Sequence, residues 1–368
     1  MTLSSATLGR PVTSLAHLQA MMVPAGIVQF SRGRVPDIAS GTCLDDNVRA
    51  WLVAMLALAA DPKREIARRI GDAALAFVVR ARRSDGRFAN MADIRGEFLE
   101  DIGSDDSIGR AIWVCGIGAR CAPVPEWRDT AVAALEAALP AIGLIGSHNS
   151  RSYAALGVAA ALAPEAASIV PPPRDAPELA PALRDRLAAT LAALADGLDG
   201  AYRATASADW RWFNDALTWG NGRLPEALLR AAAATGQRRW ADTGLRALQF
   251  LGEVTQPDGT FVPIGNEGWY PRGGVRAKYD QQPIEACAMV DAWLAAYRLT
   301  GDAPYLERAR TASEWFDGRN TERIAVGTPE TGGCYDGLKR GLVNRNQGAE
   351  STVSYLHSRF VIQRALSE

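Results

Sequence analysis

The chain has 368 residues, of which 48% are hydrophobic and 22% charged, and its formal net charge is −1. The length fits one large domain or two ordinary ones, and the scattered basic residues exclude a nucleic-acid stripe, so no nucleic-acid partner is expected. No apolar run reaches the ~20 residues that span a bilayer, and residues 1–34 lack a long apolar core behind a basic start. We therefore expect a cytoplasmic protein without a membrane partner.

Six clusters of carboxylate, amide or arginine side chains recur along the chain, each at the predicted opening of an alanine-rich helix. Their spacing is roughly that of one helical hairpin. Such hairpins bury their apolar faces only by stacking on neighbours, so the repeat predicts an all-α (α/α)6 toroid, with residues 1–368 as a single domain. The clusters are Asp45-Asp46-Asn47, Asp105-Asp106-Ser107, His148-Asn149-Ser150-Arg151, Asn214-Asp215, Asp280-Gln281-Gln282 and Asn344-Arg345-Asn346-Gln347.

Helices of a second type are predicted between these clusters. They carry charge on one face and apolar residues at helical spacing on the other, which is typical of an outer ring. The proline-rich segment 164–181 interrupts this order, but the repeat continues in phase on both sides, so we interpret it as a surface connection. The predicted outer helices are residues 63–83, 126–139, 183–198, 238–253 and 304–317.

The cysteines form no CxxC pair and mostly have apolar neighbours, which is typical of reduced structural thiols. No metal and no organic cofactor is expected. The five cysteines are Cys43, Cys115, Cys121, Cys287 and Cys334.

The helix openings are the candidate site, because in a toroid the inner helices run side by side and their N-termini converge. Asp, Asn and Ser are also ordinary helix caps. These openings, however, carry several polar groups next to aromatic rings, and rings beside carboxylates and amides suit a sugar. Core packing is the alternative for the tryptophans. The aromatic residues concerned are Trp210, Trp212, Trp219, Trp269, Tyr270 and Tyr279.

One turn further into the inner helices lie Arg49, Arg110, Glu285 and Glu350. A carboxyl group buried there either holds a proton, as a general acid requires, or pairs with an arginine across the cavity. Glycoside hydrolysis needs two carboxyl groups, either ~5 Å or about 6.5–9.5 Å apart. Several pairs of carboxyl residues at the helix openings could have such a separation.

The preferred catalytic residues are Asp280 and Glu350, followed by Asp106, while Asp46 is expected to orient Arg49. Other polar and aromatic residues at the openings are expected to bind substrate hydroxyls or to orient the carboxyl groups. The predicted substrate-binding set is Asp46, Arg49, Arg110, His148, Arg151, Trp212, Asp215, Asn221, Arg223, Trp269, Tyr279, Gln281, Gln282, Glu285, Asn344 and Gln347.

Several strings through nearly the whole chain resemble a family of bacterial six-hairpin, glycosidase-like proteins that occur beside or fused to glycosyltransferases and beside mannoside phosphorylases. The resemblance implies the toroid fold, a carbohydrate substrate and a glycosyltransferase partner. The strings are Gly26 to Gln29, Leu44 to Arg49, Asp106 with Gly109 to Trp113, Ser150-Arg151, Trp210 to Phe213, Leu217-Thr218, Asn221 to Pro225, Tyr279 to Ala286, Gly332 to Leu338 and Val343 to Thr352.

The chain departs from this family at three positions. Phe30 stands where the family has a histidine, Asn214 where it has a glutamate and Gly220 where it has an aspartate. Two carboxylates are thus missing from one helix opening. The departures imply either another substrate or a member that has lost hydrolysis.

Other functions remain open at the sequence level. A glycan-binding partner of a glycosyltransferase is the main alternative, and a polysaccharide lyase using Tyr279 or Tyr153 as base with Arg151 is the next. A sugar epimerase would need two pocket histidines, but only His148 lies at an opening. A zinc toroid or a terpene cyclase has only partial support. We therefore predict an oligosaccharide-acting protein, with glycoside hydrolysis as the leading reaction.

Overall fold

The computed structural model describes residues 13–368, so residues 1–12 of the N-terminal stretch considered above lie outside the described part. Thirteen α-helices make up most of the regular structure in that range. They are α1 Ala16–Ala20, α2 Leu44–Ala60, α3 Glu65–Ala81, α4 Asp105–Cys121, α5 Pro125–Ala138, α6 His148–Leu162, α7 Pro164–Ala167, α8 Pro181–Thr205, α9 Arg223–Thr235, α10 Arg238–Thr255, α11 Pro283–Thr300, α12 Ala303–Glu314 and α13 Ala349–Ala365.

Six helices form a closed inner ring. In order around the ring, α2 packs on α4, α4 on α6, α6 on α9, α9 on α11, α11 on α13, and α13 on α2. The amphipathic helices α3, α5, α8, α10 and α12 each pack outside one inner helix. This arrangement confirms the predicted (α/α)6 toroid. None of the described helices is long and apolar enough to cross a membrane.

The sixth outer position differs from the other five. Within residues 13–368, the five-residue helix α1 takes the place outside α13, and it also contacts α3. His17 of α1 joins the two ends of the chain, because its Nε2 lies 2.8 Å from the carbonyl oxygen of Gln347. The ring is thus completed by an N-terminal segment rather than by a full hairpin.

The inner helices are buried on nearly all sides, as their small apolar residues predict. Helices α4 and α6 approach closely, because a Cβ atom at Gly116 or Gly157 would overlap backbone atoms of the facing helix. Glycine is required at such a backbone-to-backbone contact. Small residues therefore set the diameter of this side of the ring.

Short antiparallel ribbons occupy the segments that lead into the inner helices. They surround the N-terminal end of the ring. The pairs are β1 Met22–Val23 with β2 Gly26–Ile27, β3 Ser31–Arg32 with β4 Val35–Pro36, β5 Thr42–Cys43 with β6 Met91–Ala92, β7 Ala216–Leu217 with β8 Tyr270–Pro271, β9 Gly327–Thr328 with β10 Gly333–Cys334, and β11 Gly337–Lys339 with β12 Leu342–Asn344.

The C-terminal end of the ring is closed by part of the proline-rich segment. Residues 167–170 are buried, so this part is not the surface connection that the sequence suggested. Arginines from three inner helices donate to its carbonyl groups: Arg230 to Ala167 at 3.0 Å, Arg298 to Ser168 at 3.3 Å and Arg364 to Ile169 at 3.0 Å. We call residues 164–170 the plug.

Candidate active site

The N-terminal end of the inner ring holds a cavity of about 400 Å³. Carboxyl and amide side chains predominate in its lining, with a single arginine, so the cavity suits a hydroxylated ligand. It is lined by Gln29, Phe30, Cys43, Asp45, Asp46, Arg49, Asn90, Met91, Asn266, Asp280, Gln282, Asp336, Asn344, Gly348, Glu350 and Ser351. Six predicted site residues are brought together there: Asp46, Arg49, Asp280, Gln282, Asn344 and Glu350.

Arg49 connects two carboxyl groups of the cavity. Its Nη2 lies 2.9 Å from Oε2 of Glu350 on α13 and 3.8 Å from Oδ1 of Asp46 on α2. Its Nε donates to the carbonyl group of Asp45 at 2.8 Å, which fixes the guanidinium. Because both oxygens contact one nitrogen, they are less than about 7 Å apart.

The pKa values of the two carboxyl groups beside Arg49 are shifted in opposite directions. Burial raises the pKa of Glu350, but the charges of Arg49 and then Arg110 outweigh it and hold that pKa below its ordinary value. Burial raises the pKa of Asp46 to about 7, against the opposing charge of Arg49. The Asp46 carboxyl group also accepts a hydrogen bond from the Cys43 thiol at 3.1 Å. Glu350 is therefore ionised at neutral pH.

Asp280 lies three residues before the start of α11 and lines the same cavity. Burial raises its pKa above the ordinary value, and the nearby Lys339, whose Nζ lies 3.6 Å from Oδ2, only partly offsets this. Burial also raises the pKa of Asp336 above its ordinary value. The Asp336 carboxyl group accepts a hydrogen bond from the backbone N–H of Gly348 at 2.7 Å. Carboxyl groups whose pKa values are pushed apart in one cavity can divide acid and base roles between them.

A second cluster of polar side chains extends from the cavity around the ring towards α6. Arg110 pairs with Asp45, which itself lines the cavity. The Arg110 guanidinium lies over the rings of Tyr153 at 5.4 Å and Trp219 at 5.3 Å. Asp106 accepts a hydrogen bond from the Ser150 hydroxyl and lies outside the cavity lining. The structure therefore separates Asp106 from Asp280 and Glu350.

Three of the predicted residues hold loops in place. His148 Nδ1 lies 2.8 Å from Oδ1 of Asn214, which precedes α9 by several residues rather than opening it. Arg151 donates through Nε to the carbonyl group of Ile145 at 2.8 Å. Glu285 accepts hydrogen bonds from the backbone N–H of Gly220 and, at 3.0 Å, from Nδ2 of Asn221.

Several other predicted residues are buried outside the cavity. Trp212 belongs to the hydrophobic core. Gln281 accepts a hydrogen bond from Trp315 Nε1 at 2.9 Å, and Gln347 Nε2 lies 3.4 Å from the Thr328 hydroxyl. These side chains pack the loop segments against the ring.

The remaining predicted residues lie towards the rim. Asp215 is 81% exposed and pairs with Arg272 at 3.4 Å. The Tyr279 hydroxyl donates to Glu322. Trp269 is partly buried against the core. None of these three lines the cavity.

The positions at which the chain departs from the family it resembles have clear local roles. Phe30 lines the cavity and is 54% exposed, so it offers an apolar face at the mouth. Asn214 is the partner of His148. Gly220 has φ +61°, and its N–H donates to Glu285. An aspartate would be strained in this backbone conformation.

The predicted site set omits six polar residues of the cavity lining: Gln29, Asp45, Asn90, Asn266, Asp336 and Ser351. The two asparagines follow the near-copied loop motifs Asp85-Gly86-Arg87-Phe88 and Asp258-Gly259-Thr260-Phe261. This repetition was the available signal, because equivalent loops in neighbouring hairpins reach the same end of a toroid. Asp336 lies inside a string already noted for its family resemblance.

A cluster of Cys287, Asp291 and His357 lies deeper in the ring, with its potential ligand atoms within 4.8 Å of one another. Arg223 Nη1 binds Asp291 at 2.7 Å and Glu226 at 2.6 Å. Burial lowers the pKa of His357, but Asp291 more than reverses this and raises it to about 10. Because Arg223 and protonated His357 already neutralise Asp291, this cluster acts as a buried ion network and is a poor cation site.

No protein-family model and no curated protein matches this chain. Solved structures do match over nearly its whole length. A cellobiose 2-epimerase from Bacillus thermoamylovorans is similar with a TM-score of 0.71 at 12% identity, covering 97% of this chain and 96% of that one. A sugar epimerase from a ruminal bacterium gives 0.69 at 11%, covering 95% of both chains. A GH76 α-mannanase from Bacteroides thetaiotaomicron gives 0.56 at 9%, covering 89% and 88%. These likenesses establish the toroid fold.

Proposed function

We propose that this protein is a carbohydrate-processing enzyme that binds an oligosaccharide in the cavity and hydrolyses a glycosidic bond there. The observation that carries the proposal is the pair Asp280 and Glu350, which line one cavity and have opposite pKa shifts. The solved toroids that are similar in fold include sugar epimerases and a mannanase, which supports a sugar as the substrate class.

In the proposed reaction, Asp280 is the general acid and gives its proton to the glycosidic oxygen as the bond to the anomeric carbon breaks. Glu350 is the ionised partner, which either takes a proton from the attacking water or attacks the anomeric carbon itself. Arg49 keeps Glu350 ionised, and Asp46 orients Arg49. Water supplies the hydroxyl group and the proton that the two products require.

The amide groups of the cavity are suited to bind sugar hydroxyls, since each amide both donates and accepts. Gln282 and Asn344 come from the predicted set, and Asn90 and Asn266 extend it. Phe30 offers its ring face to the apolar side of a sugar. A cytoplasmic location, a single-domain chain and a glycosyltransferase partner belong to the same proposal.

Epimerisation is the rival reaction because the similar solved structures include epimerases. Proton transfer at a sugar carbon by two histidines is not supported, because none of the chain's three histidines lines the cavity. His17 binds the Gln347 carbonyl group, His148 binds Asn214 and His357 is buried beside Asp291. A glycan-binding protein without turnover is the second candidate, favoured by Asn214 and Gly220, which stand where the family that the chain resembles has carboxylates.

The test is a product screen with mannose-, glucose- and uronate-containing oligosaccharides, using the wild type, Asp280→Asn, Glu350→Gln and the matched control Asp185→Asn on the outer helix α8. We expect reducing-end product from the wild type and the control, and a loss of about 10²–10⁴-fold in each cavity variant. Sugar-dependent thermal stabilisation should persist in Asp280→Asn.

Stabilisation by a sugar without product from any variant would contradict hydrolysis and assign glycan binding. An epimeric sugar product with unchanged chain length would assign epimerisation. Product formation that survives both cavity substitutions would exclude the proposed pair.

A further inference from the structure

Two β-hairpins stand side by side at the mouth of the cavity. The first is residues 31–36 and the second, with the arginine that follows it, is residues 337–345; together we call them the hairpin pair. Gly33 links the first hairpin to the two residues that follow the second, because its N–H donates to Oδ1 of Asn346 at 3.0 Å and its carbonyl group accepts the N–H of Gln347 at 3.0 Å. The turn glycines Gly33 and Gly341 have no atom within 4 Å of a Cβ position, so both turns project into open space.

The hairpin pair is basic and contains no acidic residue. Its charged side chains are Arg32, Arg34, Lys339, Arg340 and Arg345. Arg32 pairs with Asp37 and Lys339 faces Asp280, whereas no carboxylate of residues 13–368 lies within ion-pair distance of Arg34 or Arg345. Both of these arginines are exposed. Arg34 and Arg345 therefore present unpaired positive charge beside the cavity, whereas Arg32 and Lys339 have carboxylate partners and Glu322 accepts the N–H of the turn residue Gly341.

The same turns carry exposed apolar side chains. Val35 is 69% exposed next to Arg34, and Leu342 is 52% exposed near the second turn. Within residues 13–368, eleven large hydrophobic side chains are exposed, and nine of them lie in segments that lead into inner helices. Exposed apolar residues are thus concentrated on the cavity face of the ring, and such a concentration marks an interaction surface.

We propose that the hairpin pair docks this protein on an anionic phospholipid surface. Apolar tips flanked by unpaired arginines match the two contributions of interfacial binding, which are burial of apolar area and attraction to anionic head groups. Charge complementarity favours an anionic surface as the partner, because a neutral surface would offer Arg34 and Arg345 no opposite charge. Docking of this kind needs no spanning helix, and it revises the expectation that the protein has no membrane partner.

The test is sedimentation of the full chain with vesicles of phosphatidylcholine alone or containing about one-third phosphatidylglycerol. One double variant, Val35→Ser with Leu342→Ser, removes the apolar tips, and another, Arg34→Glu with Arg345→Glu, reverses the charge. Leu366→Ser and Arg174→Glu are matched controls, because both positions follow the C-terminal ends of inner helices, on the opposite face.

We expect binding to the anionic vesicles alone, a decrease of about tenfold or more in partition coefficient for either double variant, and no change for the controls. The exposed positions leave folding intact, which circular dichroism verifies. Equal binding to both vesicle types, no binding to either, or binding that survives both double variants would overturn the proposal. Self-association that only the apolar double variant abolishes, without vesicle binding, would assign the surface to a protein contact instead. Vesicle binding is measured without turnover, so its outcome is independent of the proposed hydrolysis.

Discussion

At the N-terminal end of the inner ring, carboxyl and amide side chains surround an open cavity, whereas at the C-terminal end arginines bind the carbonyl groups of a buried plug. Both arrangements complement the helix dipoles, which place partial positive charge at the first end and partial negative charge at the second. The sign of the charge at each end therefore follows from helix direction alone and does not identify a site.

The two ends differ in what their charged groups bind. Arg230 binds both Glu226 and the plug carbonyl of Ala167. At the cavity end, burial raises the pKa of Asp46 and Asp280 although a cation lies near each. Carboxyl groups with raised pKa values in an open cavity are candidates for catalysis, whereas arginines that bind a buried segment stabilise the fold.

The largest expected effect is on the plug end. Arg230→Met leaves Glu226 without one cation and the Ala167 carbonyl group without its donor. Loss of one partner from a buried ion pair typically costs about 3–5 kcal/mol, so the free energy of unfolding should fall by that amount. Denaturant titration measures it, with Arg238→Met at the exposed start of α10 as the control. A decrease no larger than that of the control would show that the plug does not hold the ring closed.

The second prediction concerns Asp46 at the cavity end, whose pKa is raised from 3.8 to about 7. Between these two values the folded state retains a proton that the unfolded state has released, so the free energy of unfolding falls as the pH rises. Asp46→Asn removes this penalty and should stabilise the protein by roughly 1–3 kcal/mol at pH 8 relative to its effect at pH 4.

Thermal unfolding at both pH values checks this, with Asp185→Asn as the control. An Asp46→Asn protein that is equally destabilised at pH 4 and pH 8 would contradict the raised pKa. The same variant should lose activity through misplacement of Arg49, which is the usual cost of removing a strained site residue.

The smallest effect is expected at Asp215, which the sequence placed at a helix opening and the structure places on the exposed rim. Exposed ion pairs contribute little, so Asp215→Asn should change stability by less than about 0.5 kcal/mol and leave sugar binding intact. Denaturant titration measures the stability, and a calorimetric titration with a stabilising oligosaccharide measures the binding. Loss of binding would extend the site beyond the cavity described above.

The toroid could be predicted because hairpin spacing and amphipathic periodicity are local properties. The openings at Asp46, Asp280 and Glu350 were found for the same reason, since inner-helix N-termini must converge. The outer helices were predicted to within a few residues at most boundaries, as with 238–253 and Arg238–Thr255.

The partners of each polar group could not be predicted, because they come from distant parts of the chain. Glu285 and Arg223 have the same polar character as Glu350 and Arg49, yet the first two lie outside the cavity lining and the last two line it. Burial of residues 167–170 could not be predicted from the sequence either, since the arginines that bind this segment lie on three different helices.

The most direct test of the account is a crystal structure of Asp280→Asn with the oligosaccharide that most stabilises the wild type. The account predicts a sugar in the cavity, with its glycosidic oxygen next to residue 280 and its anomeric carbon facing Glu350. A sugar bound elsewhere on the ring, or one whose glycosidic bonds all lie away from these two side chains, would contradict it.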